Sequence, residues 1–270
     1  MKTPPALIAG LFLTACCLPA SLDGQEPVDV HDDERYLAVA WIQNSPEYRL
    51  LTRQTFRLAL WQLKQGLADP AWSADEVQAT AGGFQELPPA VILDVDETLL
   101  DNSPFNARNI VDGRDYQTRV WNDWCLEERS TPIPGGLGFV SAARELDVAV
   151  FFVTNRRDEV KQATINNLQR LGFPAHADNV LTKNADAGRP GDKISRRAMV
   201  AAGHRIVLLV GDSMSDLCSG MDERDQAVRN ETAIRKQDWL GTRWIMLPNP
   251  VYGGWQRALP ESEAALRTER

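Results

Sequence analysis

Four short, continuous apolar runs mark the middle and end of the chain. They are Ala90-Val91-Ile92-Leu93, Val148-Ala149-Val150-Phe151-Phe152-Val153, Ile206-Val207-Leu208-Leu209-Val210 and Trp244-Ile245-Met246-Leu247. Continuous rather than alternating runs of this length suit strands buried on both faces, as in a parallel sheet. Helix-length segments lie between them, at about 136–146, 158–171 and 193–202. Ahead of the first run, residues 34–44 and 46–67 carry apolar residues at helical spacing, with Leu50, Leu51, Phe56, Leu58, Leu60, Trp61 and Leu63 in the second. Residues 68–86 contain Pro70, Gly82 and Gly83 and read as a loop with one helical turn. Strands alternating with helices predict an α/β fold with a doubly wound parallel sheet.

The opening residues follow a different pattern. Lys2 precedes a short apolar run over residues 6–13, too short to span a bilayer and suited to a secretory signal. The run ends in Leu13-Thr14-Ala15-Cys16, which resembles a bacterial lipobox and implies lipidation of Cys16 after removal of residues 1–15. An ordinary signal cut after Ala20 is the alternative. Residues 16–33 then form a polar, acidic tether, and residues 34–270 form one domain. Within it, residues 34–86 supply N-terminal helices, residues 88–250 an α/β core with a small helical insert at 101–134, and residues 251–270 a C-terminal segment. Lipidation would place the protein in the bacterial cell envelope. Cys17, rather than Asp, after the modified residue favours the outer membrane.

Composition narrows the chemistry. The 270 residues are 43% hydrophobic and 24% charged, with a net charge of -8, which fits a globular domain. An excess of acids argues against a nucleic-acid partner, since no surplus of Lys and Arg exists to neutralise phosphates. Three histidines without HExxH or a Cys/His cluster argue against zinc, and GxSxG, Walker A and complete GxGxxG motifs are absent. In the body of the chain Cys125 and Cys218 could pair in an oxidising compartment, but free buried cysteine is the commoner state. His176 and His204 read as surface or loop residues.

Chemistry in doubly wound folds gathers beyond the carboxyl ends of the strands. The first run is followed by Asp94-Val95-Asp96-Glu97-Thr98, the second by Thr154-Asn155-Arg156 and the third by Gly211-Asp212-Ser213-Met214-Ser215-Asp216. Lys193 opens the helix before the third run. Taken alone, each has an ordinary explanation: the acids as helix caps, Asp212 as a turn residue, Thr154 as a strand-end hydroxyl and Lys193 as a solvated lysine. An EF-hand reading of the acids fails, because Leu99 stands where glycine is required.

Together, and in this order, these residues resemble the four motifs of the haloacid dehalogenase superfamily. The stretches 94–103, Trp121-x-x-Trp124, 153–156, 247–255 and 38–45 are similar to the class C bacterial acid phosphatases, lipid-anchored nucleotidases of the four-aspartate type. The likeness runs from about residue 33 onward. It implies a Rossmann-like sheet with a small helical cap and a phosphate-monoester hydrolase acting on 5′-nucleotides. Asp94 would be the nucleophile and Asp96 the general acid and then base. Mg²⁺ would sit on Asp94, Asp212 and the Asp96 carbonyl, with Asp216 orienting its waters. Thr154, Asn155 and Lys193 would bind phosphate. Trp121 and Tyr252 match aromatics that stack a base, with core packing as the equal alternative, whereas core packing is favoured for Trp124, Trp244 and Trp255. A homodimer is a further expectation from the family. Two other functions remain in view, a non-enzymatic ligand-binding lipoprotein on the same scaffold and a phosphotransferase.

Overall fold

The computed structural model describes residues 29–183, 193–221 and 224–259. The expected leader, the expected lipidation residue Cys16 and most of the expected tether lie outside the described residues. After a short 3₁₀ turn, helices α1 (Tyr36–Asn44) and α2 (Pro46–Ala68) come first, separated by Ser45. Ser45 caps α2 through its hydroxyl, which accepts from the Tyr48 N–H, and Pro46 occupies the first helical turn, where a missing donor costs nothing. Helix α3 (Glu76–Ala81) is the single turn expected in the loop, capped by Asp75 and ended by Gly82.

Five strands form one parallel sheet in the order β5-β4-β1-β6-β7: β1 (Pro89–Leu93), β4 (Ala149–Val153), β5 (Val180–Leu181), β6 (Arg205–Gly211) and β7 (Trp244–Met246). Four are the apolar runs. The fifth, β5, falls in a segment where the sequence shows no sheet pattern, because two residues are too few to carry a period. The strands bury both faces. Val91, Leu93, Val150, Phe152, Val207 and Val210 pack with Phe56, Leu63, Phe139 and Leu168 on one side. Ala90, Ile92, Val153, Ile206 and Leu209 pack with Val200, Leu217 and Trp244 on the other. The first layer is built by α2, α6 (Gly136–Glu145) and α7 (Lys161–Arg170), the second by α8 (Ile194–Ala201) and α9 (Met214–Leu217).

Helix α2 departs from its sequence reading. Leu50 and Trp61 are 66% and 57% exposed, and Leu51 and Leu58 also face outward, while Thr52, Ala59 and Gln62 are buried. The helix has apolar residues on two faces, and the one carrying Tyr48, Phe56 and Leu63 fits the sheet. Gly66 on that face lets Trp72 and Val207 close in: a Cβ there would lie 2.6 Å from Val207. The segment expected as one helix over 158–171 opens with a 3₁₀ turn (Asp158–Val160) before α7.

The insert after β1 is small and mainly helical, as expected. It holds α4 (Ser103–Val111) and α5 (Thr118–Leu126), closed by a two-stranded antiparallel ribbon of β2 (Leu100–Asp101) and β3 (Thr131–Pro132). Helix α10 (Gln226–Lys236) and the short α11 (Gly254–Arg257) complete the described chain. No helix among the described residues is long and apolar enough to cross a membrane.

Candidate active site

Strand order brings the polar termini together. The chain leaves the central β1 toward β4 and β5, then returns to β6 and β7 on its other side. The carboxyl ends of β4, β1 and β6 therefore stand side by side, at the point where such folds open a cleft. Thr154 follows β4, Asp94 follows β1 and Asp212 follows β6. Sheet pairing reaches the first of the acids, since the Asp94 N–H donates to the Val210 carbonyl at 2.9 Å.

Asp94, Asp212 and Asp216 each offer a carboxylate oxygen within 4.8 Å of the others. Lys193, at the amino end of α8, donates to Asp94 and stands 2.8 Å from Asp216 Oδ1. Burial raises Asp94 well above the usual carboxylate range; Lys193 opposes this, and the neighbouring Asp216, Asp212 and Asp96 add to it. Asp212 is pushed up to about 6, by burial first and Asp216 second. Burial works against the charge on Lys193, but its attraction to Asp216 and Asp94 prevails and keeps the ammonium above the usual lysine range.

Crowded buried oxygens with too little positive charge among them are the donor set of a hard divalent cation. Both oxygens of Asp216 are already engaged, Oδ1 by Lys193 and Oδ2 by the Ser213 N–H at 2.9 Å, in a capping box that starts α9. Among the described residues Asp212 Oδ1 receives the long Thr98 contact at 3.3 Å, so Asp94 and Asp212 are the acids of the cluster better placed to bind an ion. Asp212 is oriented by Asn249 Nδ2 at 2.8 Å and by the Thr98 hydroxyl at 3.3 Å.

Asp96 stands apart from this cluster. Its Oδ1 accepts from Arg156 Nη2 at 2.8 Å, Arg156 Nε at 3.0 Å and Asn102 Nδ2 at 2.9 Å. The Thr154 hydroxyl is turned toward Asp96 Oδ2 at 3.3 Å and accepts from the Arg156 N–H. Asn155 is exposed, and its side-chain oxygen accepts from Arg196 Nη2 at 2.9 Å. The turn between the two acids and β2 places Glu97 at φ 55°, a left-handed conformation that costs a non-glycine residue about 1–3 kcal/mol. Glu97 holds the turn closed, its carboxylate accepting from the Asn102 N–H at 2.9 Å.

Trp121, on α5, is half-buried, edge-on to Phe105 at 5.0 Å and 5.5 Å from the Arg156 guanidinium. Tyr252 is half-buried against the main core, and its N–H reaches Asn249, the residue that orients Asp212. Trp124 and Trp244 are core residues, each with its indole N–H satisfied. Trp255 is not: it is 42% exposed, because the short α11 lies at the surface and its indole N–H reaches back only to the Tyr252 carbonyl. Cys125 and Cys218 are free and buried in separate clusters. An open cavity of about 360 Å³ near the start of β4, lined by Val150, Phe151 and His176, touches none of the acids.

Sequence reasoning assigned no role to Arg156, Asn102, Glu97 or Asn249. All four lie inside the stretches that carry the family resemblance, but no spacing rule connects Arg156 or Asn249 to the acid it binds.

A family model described as HAD superfamily, subfamily IIIB (Acid phosphatase) matches residues 42–255. Among solved structures, the class C acid phosphatase from Bacillus anthracis is 30% identical, with a TM-score of 0.71 over 86% of this chain and 92% of that one. The same enzyme with tungstate bound is 29% identical, with a TM-score of 0.72 over 87% and 91% of the two chains. Acid phosphatase 1 of Solanum lycopersicum is 27% identical over 164 residues, 60% of this chain, and the match spans 57% of that relative's length.

Proposed function

We propose a mechanism for this chain, which belongs to the acid phosphatases of subfamily IIIB in the HAD superfamily: it hydrolyses small phosphate monoesters, 5′-nucleotides among them, through a phosphorylated Asp94. The observation that carries the reading is the convergence of Asp94, Asp212, Asp216 and Lys193 in one buried cluster, with Asp96 fixed beside it.

Phosphate monoesters are anions, so a nucleophile needs charge compensation and a place to attack in line. The Asp94 carboxylate attacks phosphorus, and the P–O bond to the leaving group breaks. Asp96 delivers a proton to the departing ester oxygen. Asp96 then takes a proton from the water that hydrolyses the aspartyl-phosphate, returning Asp94 to its carboxylate. Lys193 holds Asp94 in place and offsets the charge gathered on the phosphoryl group. Asn155 and Thr154 border the same space at the end of β4. Tungstate, seen on the Bacillus anthracis relative, is a tetrahedral oxyanion like phosphate, and this supports the reading of the site as a phosphoryl pocket. A bound Mg²⁺, held by Asp94 and Asp212 with the Asp96 carbonyl, would neutralise phosphate charge.

Trp121 is adjacent to the Asp96 side of the site, where the leaving group departs. This favours stacking of a nucleobase on it, with Tyr252 as the second aromatic candidate. Residues 1–15 and Cys16 are read as a lipoprotein signal and anchor, giving an outer-membrane enzyme; a homodimer remains the family expectation. The test is phosphate release from a 5′-mononucleotide with Mg²⁺, wild type beside Asp94→Asn. Release by the wild type alone supports the mechanism. Release by both removes Asp94 from the nucleophile role, and transfer to an added alcohol would favour a phosphotransferase.

A further inference from the structure

Asp96 is bound asymmetrically. Three donors at 3.0 Å or less converge on Oδ1: Nε and Nη2 of Arg156, and Nδ2 of Asn102. Among the described residues Oδ2 receives two long contacts, from Arg156 Nε and the Thr154 hydroxyl, both at 3.3 Å. A carboxyl group held this way can neither rotate nor exchange its oxygens without breaking several charge-assisted bonds.

The clamp is itself locked. Arg156 is 1% exposed, and its remaining nitrogen, Nη1, reaches the Thr164 hydroxyl on α7 at 3.2 Å. The Asn102 side-chain oxygen accepts from Trp124 Nε1 at 2.9 Å and from the Ser130 hydroxyl at 2.7 Å, which orients its amide nitrogen toward Asp96. Trp124 belongs to the helical insert, so the insert helps aim the acid as well as covering the sheet edge. Burying a guanidinium costs several kcal/mol, and an apolar residue of similar volume often serves stability as well or better. Stability alone is therefore a poor account of an arginine at this position, whereas a fixed carboxyl geometry is a good one.

We propose that Arg156 is the positioning residue of the acid–base carboxyl: with Asn102 it occupies Asp96 Oδ1 and leaves Oδ2 as the oxygen that passes the proton. In the first half-reaction the proton on Oδ2 moves to the ester oxygen as that oxygen takes the P–O electron pair. In the second, Oδ2 accepts a proton from the attacking water as the Asp94–phosphorus bond breaks. The proposal rests on the assignment of Asp96 as general acid.

The leaving group supplies the test. An acidic phenol departs without protonation, whereas the primary alcohol of a 5′-nucleotide does not. Rates for 4-nitrophenyl phosphate and a 5′-mononucleotide would be compared in wild type, Arg156→Lys, Arg156→Gln, Asp96→Asn and the double variant Arg156→Lys/Asp96→Asn. On the nucleotide, kcat/KM, which reports the steps up to departure of the leaving group, should fall roughly 10²-fold or more in each Arg156 variant, in line with the usual contribution of a general acid. On the aryl ester the fall in kcat/KM should be at least tenfold smaller, whereas kcat can fall on both esters because hydrolysis of the shared phospho-Asp94 uses the same oxygen. Adding Arg156→Lys to Asp96→Asn should cost almost nothing further, because one substitution has already removed what the other acts through. Equal losses of kcat/KM on both substrates, or additive losses in the double variant, would overturn the proposal. Arg156→Lys keeps the buried charge and guards against a folding failure of Arg156→Gln. No turnover by wild type on either ester would instead overturn the phosphatase reading beneath it.

Discussion

Lys193 and Asp216 form an ion pair at 2.8 Å, with 3% and 8% of their side chains exposed, and the same ammonium donates to Asp94. One lysine thus joins the end of β1 to the turn after β6. Its removal leaves two buried carboxylates facing each other. Lys193→Met should lower kcat by about 10²-fold or more, the scale of losing one preorganised electrostatic contact. Lys193→Arg should rescue little, because a planar fork does not fit a site shaped for a point charge. Steady-state rates on one substrate, with thermal unfolding as a folding control, would check both.

Gly211 makes room for Asp216. A Cβ at residue 211 would lie 2.5 Å from both the Cβ and Oδ2 of Asp216, and the Asp216 Cβ cannot swing aside. Gly211→Ala should displace the acid and its lysine together, costing about 1–3 kcal/mol of stability as an overpacked site does. Denaturant unfolding measures the first effect and phosphate release the second. Unchanged stability and rate would show that Asp216 can move freely.

Stability without metal should depend on pH with a definite sign. Asp212 sits at about 6 against an ordinary 3.8, and Asp94 is also raised. Each is easier to protonate folded than unfolded, so its contribution is present below the ordinary carboxylate range and is lost as pH rises, through about 6 for Asp212. In chelator, the melting temperature should fall as pH goes from 5 to 7. Mg²⁺ at 100 times its Kd should restore about 2.7 kcal/mol at pH 7. A melting temperature that rises over this window in chelator would contradict the crowded-carboxylate account.

The two aromatic candidates can be separated from core residues by substrate. If Trp121 stacks a base, Trp121→Ala should weaken use of 5′-nucleotides by about 1–3 kcal/mol, mainly in KM, and leave glycerol phosphate nearly unchanged. The same comparison applies to Tyr252→Ala. Equal losses on both substrates would mark the rings as packing.

Burial pushes the Cys125 thiol up to about 12 and Cys218 up to about 11. Neither should react with an alkylating agent at neutral pH until the protein unfolds, because the thiolate is the reactive form. Mass-spectrometric mapping of alkylation before and after denaturation would show this, and reducing agent should leave the melting temperature unchanged.

The sequence by itself determined the layers and the principal acids. Continuous apolar runs this short, between helix-length segments, suit strands buried on both sides, and four of the five described sheet strands were legible for that reason. The pattern placed Asp94, Asp96, Thr154, Lys193, Asp212 and Asp216 at strand ends or a helix start, whereas their roles came only from the resemblance to a known family. Strand β5, at two residues, left no period to read. Which face of α2 turns inward was likewise decided only by the fold, since Leu50 and Trp61 are as apolar as the buried Phe56 and Leu63. The orientation of Asp96 was decided there too. Its partners Asn102 and Arg156 lie 6 and 60 residues away: Asn102 meets it at the start of the insert, and Arg156 because β4 pairs beside β1. Local chemistry names which residues can react; long-range packing decides which carboxylate oxygen is held by short bonds.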